Sequence, residues 1–311
     1  MAKTLPPVAL IAGPTASGKS AVALALAQAT GGVIVNADSA QLYADLPILS
    51  AAPDEDDRRQ AEHRLYGVVD GADSCSAADW AQLARAEIAD IHAAGRLPIV
   101  IGGTGLYLRS LIEGIAPVPP IDSAVRHTVR EAPVEDNRVR LEQLDPERAA
   151  QLRPTDTTRI ARALEVIVST GRPLSHWQQV RQGGIGEAVE LRPLILLPPR
   201  DWLYVRCDAR FAAMVEGGAV AEVKALLQRN LPPAMPVMRA IGVREITAYL
   251  SGAATLAEAV AAGSQATRNY AKRQYTWFAH QPPSEWRRLT DPSDVRLELV
   301  EDLFLPLRDE T

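Results

Sequence analysis

In PVALIAGPTASGKSAVALALAQAT, residues Pro7–Thr30, an apolar run, a glycine-bearing octet and an Ala/Leu-rich run follow one another without a gap. Pro7–Gly13 is continuously apolar and ends in glycine, as a parallel strand buried on both faces does. The octet GPTASGKS, Gly13–Ser20, satisfies the phosphate-loop pattern G-x-x-x-x-G-K-[ST] at every defined position. Ser20–Thr30 reads as a helix stopped by Gly31-Gly32. Strand, turn and helix in that order form a concave anion site from backbone N–H groups and the positive end of the helix dipole. Lys19 adds a point charge, and Ser20 a hydroxyl for Mg²⁺ or for a phosphate oxygen.

Working outward, a second apolar strand, Val33–Ala37, runs into Asp38-Ser39-Ala40-Gln41. A helical pattern covers Ala77–Ala94, and a third strand, Pro98–Ile101, runs into Gly102-Gly103-Thr104-Gly105. Such turns gather at the carboxyl edge of an open sheet, where ligands bind. Ala116–Pro120 (APVPP) is a stiff break, after which Asp122 to about Gln182 is helical and Arg-rich. Arg181–Glu187 is a loop, Glu190–Leu197 another strand, and the rest mostly helical around a loop at Leu231–Pro236. The expected architecture is α/β: a P-loop core with a parallel sheet flanked by helices, built from residues 1–120 and 188–311, and an inserted helical domain at 121–187.

The chain has 311 residues, 47% of them hydrophobic and 23% charged, with a formal net charge of −5. Whole-chain charge argues against a nucleic-acid partner, but clustered Lys and Arg can build a basic face on an acidic protein. Cys75 and Cys207 have neither disulfide-framework nor zinc spacing and are expected as reduced, buried thiols. The start, MAKTLPPVALIAG, does not read as a secretory signal, and no run approaches the roughly 18 apolar residues of a membrane span. A cytoplasmic protein is expected.

A phosphate loop does not say which phosphate it holds. ATP-dependent kinases usually add a strand ending in an Mg²⁺-binding Asp, whereas PIVI ends in Gly-Gly-Thr. Asp38 is the remaining carboxylate. It fits the metal-binding acid of a small-molecule kinase, a base that takes a proton while a diphosphate leaves, or a plain helix N-cap before Ala40–Ala44. Three arginine groups stand out. TDTTRIAR carries Arg159 and Arg162 after Arg153; RAIGVR, Arg239–Arg244, is expected to open a helix; RNYAKR, Arg268–Arg273, is interleaved with Tyr270, Tyr275 and Trp277. Together they outline a local footprint for a phosphate backbone. Arg206 and Arg210, one helical turn apart, suit either surface ion pairs or a phosphate clamp.

The order GPTASGKS, DSAQLY (38–43), HRLYG (63–67), SAADW (76–80), GGTGLY (102–107), RIARALEV (159–166), RCDARF (206–211), RAIGVRE (239–245) and ATRNYAKRQYTWF (266–278) resembles the tRNA dimethylallyltransferase (tRNA isopentenyltransferase) family from end to end. The resemblance implies transfer of a dimethylallyl group from dimethylallyl diphosphate to N6 of the adenosine just 3′ of certain anticodons, with Mg²⁺ assisting and ATP not consumed. It implies Asp38 as general base, with Thr15 and Arg210 completing the catalytic set. Gly13, Pro14, Thr15, Ala16, Ser17, Gly18, Lys19 and Ser20 then form the diphosphate or nucleotide cradle, with Ser20 as the Mg²⁺ ligand. Contacts to tRNA fall on Asp38, Ser39, Ala40, Gln41, Thr104, Arg126, Thr158, Arg159, Ile160, Ala161, Arg162, Arg239, Ala240, Ile241, Gly242, Val243 and Arg244. The partners implied are the anticodon stem-loop and dimethylallyl diphosphate, with no membrane, for a protein acting as a monomer. One departure is plain: family members often carry Gly-Thr-Ala-Lys where this chain has Leu49-Ser50-Ala51-Ala52.

Overall fold

The computed structural model describes residues 5–292 and Phe304. It divides into two compact units, Met1–Ile112 with Ile185–Thr311, and Glu113–Gly184.

The first unit follows the alternation read from the sequence. Its elements begin with β1 (Pro7–Ala12), α1 (Lys19–Thr30), β2 (Val33–Asn36), α2 (Pro47–Ser50), α3 (Glu55–Gln60), β3 (Glu62–Arg64), α4 (Ala77–Ala93), β4 (Pro98–Gly102) and α5 (Gly105–Glu113). The six-stranded sheet has the order β3-β2-β4-β1-β5-β6 and every pairing is parallel. Central β1 explains why its sequence shows no polar alternation. Val8, Leu10 and Ala12 enter one apolar cluster, Ala9 and Ile11 the cluster on the opposite face, so both sides are covered by helices. Because β1 lies between β4 and β5, the turns after β1, β2 and β4 converge at one edge.

The second unit contains α6 (Ser123–Glu131), α7 (Val134–Leu144), α8 (Pro146–Gln151), α9 (Thr157–Thr170) and α10 (Leu174–Trp177). It has its own core, in which Val129 and Leu141 meet Ile160, Ala163 and Leu164. The chain resumes in the first unit with β5 (Glu190–Leu196), α11 (Arg200–Met214), α12 (Val220–Gln228), α13 (Val243–Leu250), α14 (Leu256–His280) and β6 (Arg287–Leu289). Among the described residues, no helix is long and apolar enough to cross a membrane.

Two strands are absent from the sequence reading, and three expectations need correction. The short edge strands β3 (EHR) and β6 (RRL) carry no apolar run, since an edge needs little burial and charged side chains protect it. Arg239 does not open a helix: it ends a 3₁₀ turn, Val237–Arg239, and α13 begins only after Gly242. Gly242 has φ +96°, and a Cβ there would lie 2.6 Å from a Leu49 methyl and 2.9 Å from the Phe211 ring, so the helix starts where only glycine fits. Cys207 is buried but Cys75 is only half-buried. Asp38 is followed by a 3₁₀ turn, Ala40–Leu42, rather than a helix to Ala44. The C-terminal stretch of the core beyond residue 292 lies outside the described residues, Phe304 apart.

Candidate active site

The phosphate loop is built from backbone conformation. Gly18, at φ +95°, precedes α1 without any side-chain cap, and the first turn of α1 carries no acid. Its leading N–H groups are therefore left to an anion. Ala16 adopts φ +63°, an uncommon conformation for a residue with a side chain. It packs on Cys207 and Ala271, and its carbonyl accepts from Arg206 Nε at 2.9 Å. Arg206 is itself stacked over Trp202, 4.6 Å from the ring centroid, so it braces the loop. The Thr15 N–H donates to Gln274 Oε1 at 2.8 Å, and Gln274 Nε2 donates to the Gly103 carbonyl at 2.9 Å. One buried amide on α14 thereby ties the loop after β1 to the loop after β4.

Charge is concentrated here. Lys19 Nζ donates to the Pro14 carbonyl at 2.7 Å. Burial lowers its pKa to about 8; nearby Asp38 opposes the shift and Arg210 adds to it. Burial likewise pushes Arg210 down, against the pull of Asp38. Two desolvated cations share one carboxylate, an arrangement that favours a multiply charged anion.

Asp38 is held from both sides. Asn36, fully buried at the end of β2, accepts from the Asp38 N–H at 2.8 Å and donates Nδ2 to the Asp38 and Leu65 carbonyls at 3.0 and 2.9 Å. The Asn36 carbonyl in turn accepts from Trp80 Nε1 at 2.9 Å. Asp38 Oδ1 accepts from the Ala40 N–H at 3.0 Å. That bond closes a local turn, since the 3₁₀ turn Ala40–Leu42 has no side-chain cap; it uses one oxygen, and among the described residues Oδ2 has no hydrogen-bond partner. Thr104 Oγ1 accepts from the Ser39 N–H at 3.0 Å and lies 3.3 Å from Ser39 Oγ. The Tyr270 hydroxyl adjoins Thr104 and Gln274, and its pKa is pushed up chiefly by burial.

These groups open into a cavity of about 340 Å³. Thr15, Asp38, Ser39 and Arg210 line one part of it, while Leu46, Leu49, Phe211, Met214 and Ile241 supply apolar wall. Arg239, Tyr270 and Arg273 line it as well. A cationic end and an apolar wall in one cavity suit a ligand with a charged head and a hydrocarbon tail.

A family model described as IPP transferase matches residues 41–281. The chain belongs to the IPP transferase family. It is 58% identical over 302 residues to the tRNA dimethylallyltransferase of Erythrobacter litoralis, covering 96% of this chain and 95% of that protein. It is 57% identical over 303 residues to the enzyme of the same name from Sphingopyxis alaskensis, covering 97% and 98%. Among solved structures, the full-length tRNA isopentenylpyrophosphate transferase of Bacillus halodurans matches with a TM-score of 0.69 at 31% identity, covering 97% of both chains. A eukaryotic dimethylallyltransferase crystallised acting on tRNA matches with a TM-score of 0.77 at 28% identity, covering 88% of this chain and 70% of that one.

Within this family member, the expected site residues separate into groups. Thr15, Asp38, Ser39, Ala40, Arg210, Arg239, Ala240 and Ile241 line the cavity. Gln41 does not: its Nε2 donates to the Ser50 and Ala51 carbonyls at 3.2 and 2.7 Å. Val243 and Ile160 point into apolar cores, so their side chains are not surface contacts; each is the inward residue of an amphipathic segment. Arg244 is exposed in the first unit, and Arg126, Thr158 and Arg159 are exposed in the second. Ala161 and Arg162 are half-buried. Ser20 is exposed at the start of α1 and lines a separate cavity of about 40 Å³ with Asp57 and His63. Among the described residues, no group of three or more His, Cys, Asp or Glu is arranged to hold a metal.

Asn36, Gln274 and Phe211 were not foreseen as site residues. Gln274 stands four residues after Tyr270 on one helix and Asn36 two before Asp38 on a strand; those spacings were the only available signal.

Proposed function

We propose that the chain is a tRNA dimethylallyltransferase that moves the dimethylallyl group of dimethylallyl diphosphate onto N6 of the adenosine 3′ of the anticodon. The observation that carries this reading is the cavity in which Arg210 and Asp38, both coupled electrostatically to Lys19, adjoin an apolar wall. An allylic diphosphate has that distribution of charge and hydrocarbon.

In the reaction the allylic C–O bond breaks, its electron pair leaves on the diphosphate, and the N6–C bond forms. Ionisation is limited by how well the departing charge is stabilised, which the Thr15 hydroxyl, Lys19, Arg210 and the unpaired N–H groups at the start of α1 do from fixed positions. The N6 lone pair is delocalised into the purine ring, so nucleophilicity rises as its proton leaves. Asp38 Oδ2 accepts that proton while Oδ1 stays tied to Ala40. Ser20 would be the residue that holds Mg²⁺, which would supply further neutralisation of the diphosphate charge. The adenine reaches the cavity only after leaving the anticodon-loop stack, where Ser39, Thr104, Arg239 and Tyr270 meet it.

Arg126, Thr158, Arg159 and Arg162 of the second unit grip the RNA backbone, while Ala240–Arg244 contributes from the core. The enzyme works as a monomer in the cytoplasm. An ATP-dependent kinase is disfavoured because β4 ends in glycine with no carboxylate for a metal. The decisive assay incubates the protein and Mg²⁺ with unmodified tRNA and labelled dimethylallyl diphosphate, followed by nucleoside mass analysis. N6-dimethylallyladenosine is the expected product, and its absence sinks the reading.

A further inference from the structure

The second unit contains a charged group that the transfer chemistry does not use. Glu165, on α9, is fully buried, its side chain 1% exposed. Arg130 of α6 donates Nε to Glu165 Oε1 at 2.8 Å. Arg162, one turn earlier on α9, places a terminal nitrogen 3.8 Å from Oε2, which takes no hydrogen bond. Both arginines remain open to solvent, with side chains 63% and 41% exposed. Arg126 lies one turn before Arg130 on α6, and both repel Arg162 electrostatically. Two guanidiniums thus meet one interior carboxylate, with a third, Arg126, close enough to act on Arg162.

A carboxylate in the interior is a poor stabiliser, because its desolvation offsets much of the Coulombic gain and apolar replacements are often neutral or better. Its effect on the arginines is different. Each guanidinium has five donors, and Glu165 occupies few of them. The remainder are held in place at the surface. A guanidinium already restrained loses less side-chain entropy when it binds an oxyanion.

We propose that Glu165 is a positioning residue that sets Arg130 and Arg162 as a preformed fork for the phosphodiester backbone of the RNA substrate. This rests on the reading of the chain as a tRNA-modifying enzyme. Glu165 touches no substrate atom and acts through the two arginines.

The test is a thermodynamic cycle on the full chain with unmodified tRNA, comparing wild type, Glu165→Gln, Arg130→Ala/Arg162→Ala and the triple variant by fluorescence anisotropy across a salt series. Glu165→Gln is expected to weaken tRNA binding about tenfold and to reduce the salt slope by about one phosphate contact. The triple variant should bind within twofold of Arg130→Ala/Arg162→Ala, because the glutamate then has neither arginine left to position. In prenyl transfer, KM for tRNA should rise with kcat unchanged, and affinity for inorganic diphosphate should stay the same. Glu165→Leu, which removes the buried polar group as well as its charge, should reproduce the binding loss even if Glu165→Gln folds poorly. Wild-type affinity in folded Glu165→Gln or Glu165→Leu overturns the proposal, as do penalties that multiply in the triple variant. Failure of the wild type to bind tRNA would instead overturn the functional reading beneath it.

Discussion

Gly263→Ala is the sharpest perturbation of the cavity wall, because it adds one methyl group without removing any existing contact. Gly263 is buried within α14, and a Cβ built there runs into the Phe211 ring well inside van der Waals contact. Carbon atoms separate at about 3.5–4.0 Å, so the ring must shift by more than about 1 Å. A Cβ at Gly242 would likewise meet the Phe211 ring at 2.9 Å and Leu49 at 2.6 Å, so that side is closely packed, while Phe211 itself lines the cavity; the ring is expected to move toward the ligand space. Overpacking costs about 1–3 kcal/mol, and the better helix propensity of alanine returns about 1 kcal/mol, so the net loss of stability is about 0–2 kcal/mol. The same displacement is expected to raise KM for dimethylallyl diphosphate about tenfold, equivalent to about 1.4 kcal/mol. Inhibition by inorganic diphosphate, which has no tail, should change less than twofold. Phe211→Leu placed on Gly263→Ala should recover most of the loss. Steady-state kinetics with both ligands and urea denaturation check each part. A folded Gly263→Ala with wild-type KM, or an equal loss of affinity for inorganic diphosphate, would refute Phe211 as the wall that the hydrocarbon meets.

Asp38→Ala should lower kcat by about 10²–10⁴-fold, the usual worth of a general base, with tRNA affinity in a binding assay kept within twofold; equal loss of both rejects the role. Lys19 is charged below its depressed pKa of about 8 and neutral above it, so isothermal titration should show affinity for inorganic diphosphate falling as pH rises through about 8, a step that Lys19→Met lacks. The same shift has the opposite sign for stability. Between about 8 and the ordinary 10.5 the unfolded chain binds the extra proton, so ligand-free stability contributed by Lys19 rises with pH across that window. Gln274→Met should orphan the Thr15 N–H and the Gly103 carbonyl, costing about 2–4 kcal/mol by denaturation. A change below about 0.5 kcal/mol would show that the two loops do not depend on that amide.

The readable features were those that one segment encodes alone. A phosphate loop is a backbone conformation set by Gly13, Gly18 and the helix start, and β1, β2, β4 and β5 are apolar runs because helices cover both faces of the sheet. The cavity wall was not readable, because Leu49, Phe211, Gly242 and Gly263 become neighbours only through packing of α2, α11, α13 and α14. The run Leu49-Ser50-Ala51-Ala52 illustrates the difference. Set beside the family's Gly-Thr-Ala-Lys, it reads as a lost cation. Folded, it is the end of a short helix whose N–H groups at Ile48 and Leu49 are capped by Glu222 at 2.7 and 2.8 Å. Its carbonyls at Ser50 and Ala51 are held by Gln41, and Leu49 faces the cavity. The segment therefore supplies apolar wall, while Lys19, Arg210, Arg239 and Arg273 supply the positive charge at or beside the same cavity. On that arrangement the substitution bears on fit to the hydrocarbon tail more than on retention of the diphosphate.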